Sequence, residues 1–154
     1  MITEDNMLTF INGINRFFKE VNKVDIEVST PYITSNREPV AYDYSGVITI
    51  TGPYHGCIYF TAPQVLLRHV LISLNEPDTS EPMIRDIAGE IANTLSGNAR
   101  AEYGEEFEIS VPHVVEGLPD ENILQRDARS FIIPMKWKSY KAALVICLTF
   151  NPNS

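Results

Sequence analysis

What most constrains this chain is how its β-rich segments are joined: most neighbouring pairs are connected by short or medium loops with no helix between them. Gly46-Val47-Ile48-Thr49-Ile50-Thr51 reads as one strand and Gly56-Cys57-Ile58-Tyr59-Phe60 as its hairpin partner, with Gly52-Pro53-Tyr54-His55 as the turn. Three further strands fall near residues 107–115, 130–137 and 142–149; the polar segment 116–129 separates the first two, and Ser139-Tyr140 sits at the last turn. Upstream, Val24, Ile26 and Val28 alternate with polar residues as a strand, and Pro31 with the polar run 34–39 makes a loop. Parallel neighbours need a long crossover, usually helical. The order therefore predicts an α+β fold, a mainly antiparallel β-sheet with helices packed on one face, in a single domain spanning residues 1–154.

Three helices complete the pattern. The first is capped by Thr3 or Asp5 and carries Met7, Phe10, Ile11, Ile14, Phe17, Phe18 and Val21 at helical spacing. Thr61 caps the second, which has Pro63 near its first turn and a buried stripe of Leu66, Leu67, Val70, Leu71 and Leu74. Residues 75–80 form a linker into the third, capped by Thr79 or Ser80, with Glu81 and Pro82 in its opening turn and an end near Arg100.

Charge narrows the function classes. With 20 acidic and 12 basic residues the net charge is −8, a field that repels phosphate backbones, and there is no basic stripe with interleaved aromatics; nucleic acid is not the expected partner. No segment approaches the roughly 20 apolar residues of a membrane helix. The opening Met1-Ile2-Thr3-Glu4-Asp5 is acidic where a signal peptide is basic, and Cys57 and Cys147 lie in apolar surroundings as buried free thiols. The expected location is the cytoplasm, without membrane association.

The third helix carries the chemistry. With Ile84 at zero on a helical wheel, Ile84, Ile87, Ala88, Ile91, Leu95 and Ala99 share one apolar arc. Asp86, Glu90, Asn93, Gly97 and Arg100 fall opposite. Glu90 and Asn93 are three apart, which puts their Cβ atoms roughly 5–6 Å from each other. Gly97 lies one turn on, with Gly89 and Ser96 nearby. Small residues beside an exposed polar pair let another surface approach closely, but periodicity alone favours a merely solvated Asn93 and glycines that serve packing.

Glu90-Ile91-Ala92-Asn93-Thr94-Leu95-Ser96-Gly97-Asn98-Ala99 resembles the ExxN-containing helix of the CheC/CheX response-regulator phosphatases, in which a small-residue GNA element follows the motif. Lys23 to Tyr32 is similar to that family's first strand, and Ile109-Ser110-Val111-Pro112-His113-Val114-Val115-Glu116-Gly117 to its segment after the motif helix. The resemblance implies a chemotaxis-type phosphatase that hydrolyses the aspartyl-phosphate of a CheY-like receiver domain. Asn93 would position the attacking water and Glu90 would pair with the receiver lysine, with Asp86, Gly97 and Arg100 at the partner surface. It further implies no metal or cofactor of its own, Mg²⁺ being supplied by the receiver, and a homodimer joined through sheet edges. The single ExxN match sits nearer the CheX type than the two-site CheC type. The rival is a noncatalytic interaction module of the same fold that binds a receiver or another signalling protein.

Other constellations are weaker. Asp86 and Glu90 are i,i+4 carboxylates of an ordinary acidic face. His55, His69 and His113 have no metal-like spacing, and a His55/Cys57 pair lacks two ligands. No G-x-S-x-G or phosphate-binding glycine loop occurs. Trp137 alternates with Ile133 and Met135, so packing is its expected duty.

Overall fold

In chain order the elements are α1 (Glu4–Asn15), β1 (Glu27–Val28), β2 (Tyr32–Ser35), β3 (Tyr44–Thr51), β4 (Tyr54–Ala62), α2 (Gln64–Ser73), α3 (Glu81–Tyr103), β5 (Glu108–Ile109), β6 (His113–Glu116), β7 (Arg129–Trp137) and β8 (Tyr140–Phe150), as seen in a computed structural model that describes residues 4–103 and 108–150. Thr3, one of the two caps expected for the first helix, lies outside the described residues. The strands form one sheet in the order β1-β7-β8-β4-β3-β5, with β2 also on β7 and β6 also on β3. Every pairing is antiparallel, as the connections predict.

The central strands read as almost unbroken apolar runs because both their faces are covered. Ile48, Ile50, Ile58, Phe60, Leu144 and Ile146 point to the face that carries the helices, where they join Phe10, Ile14, Leu66, Leu67, Ile84, Ile91 and Leu95. Val47, Cys57, Tyr59, Val145 and Cys147 point the other way and are sealed by Val40, Tyr42, Leu124 and Ile123 from the flanking loops. Cys57 and Cys147 are opposite each other in register and are buried free thiols. The loop-covered face is tied down at Asn36, whose amide donates to the Gln125 carbonyl at 2.7 Å and whose Oδ1 accepts from Ser130 Oγ at 2.6 Å.

Several local expectations change, each for a tertiary reason. Residues 32–35, expected as loop, are strand β2, because β7 offers them an unpaired edge. The strand expected over 107–115 is two short pieces, β5 and β6, both on β3, interrupted at 110–112. Thr61 does not cap α2: its buried Oγ1 accepts from the Tyr42 N–H at 2.7 Å, and the free Gln64 N–H is met by the Asp43 carboxylate at 2.8 Å. The first helix widens into a π-helical segment, Arg16–Val21, that places Phe18 in the core. The β3–β4 turn is tighter than expected, and His69 stacks on Trp137 at 4.4 Å between ring centroids.

Helix α3 is seated by close approach to β3. Gly46 lies under the Ala88–Gly89 backbone, and a Cβ at Gly46 would land on the Ala88 carbonyl. Backbone on both sides leaves nothing free to move aside. Gly46→Ala is therefore expected to destabilise the protein by about 2 kcal/mol or more, read as a lower midpoint in urea-induced unfolding.

Candidate functional site

Helix α3 runs 23 residues, about 34 Å, and its seating fixes which residues face out. Ile84, Ile87, Ala88, Ile91, Leu95 and Ala99 are buried, as the wheel predicts. Asp86, Glu90, Asn93 and Arg100 are exposed and Gly97 is half-exposed. Arg85 links the first half of the helix to its neighbours. Its guanidinium pairs with Glu81 at 3.2 Å and Glu116 at 3.2 Å, and it lies 5.2 Å from the centroid of the Tyr44 ring. The Glu81 pair is legible in sequence as i,i+4. Glu116 is reached only through β6, so its link to the helix was invisible to pattern alone.

Small residues on this helix divide into two kinds. A Cβ at Gly89 would meet the Val114 Cγ2 at 3.2 Å and the Pro112 Cβ at 3.5 Å, so this glycine serves packing against β6. Ser96 is fully buried, and its hydroxyl has no hydrogen-bond partner among the described residues. Gly97 differs: nothing lies within 4 Å of where its Cβ would be. Of the three, Gly97 alone leaves open space beside the exposed face.

Glu90 and Asn93 thus stand side by side on a rigid, outward surface. Their side chains make no hydrogen bond or ion pair with another described residue. A carboxylate and an amide so placed can accept a cation and orient a water, and neither is spent on holding the fold together.

The competing constellations do not assemble. Among the described residues no group of three or more His, Cys, Asp or Glu side chains is placed to hold a metal ion. Burial pushes the Cys57 thiol up to about 12, with the neighbouring Cys147 adding to the shift, which keeps it protonated and a poor nucleophile. His55 is exposed while Cys57 is buried, so that pair is not a ligand set. No helix among the described residues is long and apolar enough to cross a membrane.

The family model described as chemotaxis phosphatase CheX matches residues 44–136, more than half of the chain and all of the exposed α3 face. The chain belongs to the CheX family. Solved structures agree on the fold. A CheC-like superfamily protein from Shewanella sp. PV-4 superposes with a TM-score of 0.78 at 22% identity, over 96% of this chain and 99% of that one. The chemotaxis protein CheX from Vibrio vulnificus gives 0.76 at 23% identity, over 94% and 99%. CheX in a CheX–CheY–BeF₃–Mg²⁺ complex from Borrelia burgdorferi gives 0.75 at 19% identity, over 96% and 99%. No curated protein sequence matches the chain. Asp86, Glu90, Asn93, Gly97 and Arg100 all lie within the span matched by the chemotaxis-phosphatase family model.

Glycine in a helix interior costs stability relative to alanine, and at Gly97 no neighbour would resist the added methyl. Gly97→Ala is expected to stabilise the free protein by about 0.8 kcal/mol, read as a higher denaturation midpoint. A glycine needed by the fold would move the midpoint the other way.

Proposed function

We propose that this chain is an aspartyl-phosphate phosphatase for a response-regulator receiver domain. The carrying observation is that Glu90 and Asn93 are exposed together on one seated helix, beside the open space at Gly97, in a chain of the CheX family. In the reaction, water attacks the phosphorus of the receiver's phosphoaspartate. The P–O bond to the carboxylate breaks, and aspartate and inorganic phosphate are the products. The Asn93 amide accepts from and donates to that water and holds it in line, without acquiring charge. Glu90 pairs with the receiver's lysine and sets the register of the two surfaces. The phosphoryl charge is neutralised by Mg²⁺ held on the receiver, not on this chain. No covalent intermediate on this protein is needed, which suits a face with no activated Ser or Cys.

Asp86 and Arg100 flank the pair and are read as partner contacts, Asp86 one turn before Glu90 and Arg100 beyond Gly97. The receiver is a cytoplasmic protein in this reading, and so is its phosphatase. A homodimer through a sheet edge fits the same picture, because the β2 edge leaves Tyr32 46% and Ile33 54% exposed. Sedimentation should then give twice the mass of the 17.3 kDa chain, and Ile33→Lys should return it to a monomer.

Loss of phosphoryl from a phosphorylated receiver, timed with and without the protein, tests the chemistry. Asn93→Ala should slow accelerated dephosphorylation by at least ~100-fold while retaining binding. Glu90→Ala should weaken both, because the register is lost with the ion pair. A wild-type protein that binds a receiver yet accelerates no phosphoryl loss would leave a noncatalytic interaction module.

A further inference from the structure

Beside the polar pair runs the link between β5 and β6, Ser110-Val111-Pro112, which the polar chemistry does not use. Val111 is 83% exposed, more than any other large hydrophobic side chain among the described residues. A lone exposed apolar residue is ordinary on a protein surface. Two features set this one apart.

The first is rigidity. The Ser110 N–H donates to the Thr49 carbonyl at 2.9 Å, and the Thr49 N–H donates to Ser110 Oγ at 2.9 Å. The Ser110 hydroxyl in turn donates to the Val111 carbonyl at 2.9 Å. Pro112 fixes its own φ and holds the residue before it extended. Val111 is therefore pinned on both sides.

The second is position. Pro112 and Val114 pack on Gly89. Gly89 and Asn93 are i,i+4 neighbours, on one side of α3 and one turn apart. The link thus flanks the very stripe that carries the amide. Val111, next to Pro112 in the chain, is exposed on the side of α3 where Pro112 abuts Gly89, one turn before Asn93.

We propose that Val111 is the apolar docking residue for the receiver domain, seating against an apolar patch beside the receiver's phosphorylated aspartate. This rests on the phosphatase reading above. A polar pair bordered by a pre-ordered apolar anchor is how interfaces gain affinity at small entropic cost. Glu90 supplies charge register on one flank of Asn93, and Val111 supplies buried apolar contact on the other.

Steady-state dephosphorylation of the phosphorylated receiver by Val111→Asp and Val111→Ile tests it. Both side chains lie in solvent in the free protein, so both variants should melt like wild type. Val111→Asp should raise KM about tenfold with kcat within about twofold. Val111→Ile should match wild type. An unchanged KM in Val111→Asp, or a loss confined to kcat, overturns the docking role while leaving the phosphatase intact. Failure of the wild-type protein to accelerate phosphoryl loss from any receiver of its host overturns the phosphatase reading and the docking role with it.

Discussion

The site depends on one close contact, the backbone of α3 at Ala88–Gly89 lying directly on β3 at Gly46. A side chain at Gly46 would hold the helix off the sheet. Without one, the helix settles close enough for Ile84, Ile87, Ile91 and Leu95 to bury completely or nearly so. Once those four are buried, helical geometry leaves Glu90 and Asn93 no choice of direction. The outward pair is thus a consequence of packing beneath it, with Arg85 tying α3 to β6 from the side through Glu116.

The sheet beneath is made stiff by being covered twice. Helices cover one face and the loops after β2 and β6 cover the other. Asn36 joins those two loops through its hydrogen bond to Gln125 and is held from β7 by Ser130, in an environment where an unmet amide would be costly. The platform on which α3 rests is therefore not an open sheet face free to flex. In the proposed reaction the amide has to be held in place against a water, and such a base serves that need.

The exposed face of α3 is sparse in chemistry, and that is consistent with hydrolysis in which the partner brings the electrophile. Positioning and charge account for most of the catalysis of phosphoryl transfer, so one carboxylate and one amide suffice if they are held still. The thiols, which could have offered a nucleophile, are spent in the loop-covered core, where burial keeps Cys57 protonated. The gap at Gly97 and the tight fit at Gly89 show the same residue type used for opposite ends, room on the outside and contact on the inside.

Much of this was legible in the residues. The antiparallel α+β architecture followed from strand connections, and the split of α3 into Ile84-Ile87-Ile91-Leu95 inside and Asp86-Glu90-Asn93 outside followed from the period of 3.6. Both are local periodicities, and local periodicity survives folding when one face must be buried. What pattern could not supply was anything that depends on a distant edge or a distant charge. Strand β2 exists because β7 had an open side, Thr61 turned from helix cap to buried acceptor because Tyr42 reached it, and Ser96 proved to be packed inside although it lies near the polar pair in sequence. The packing of the β5–β6 link on α3 is of the same kind, because Pro112 and Gly89 are far apart along the chain and meet only in the folded protein.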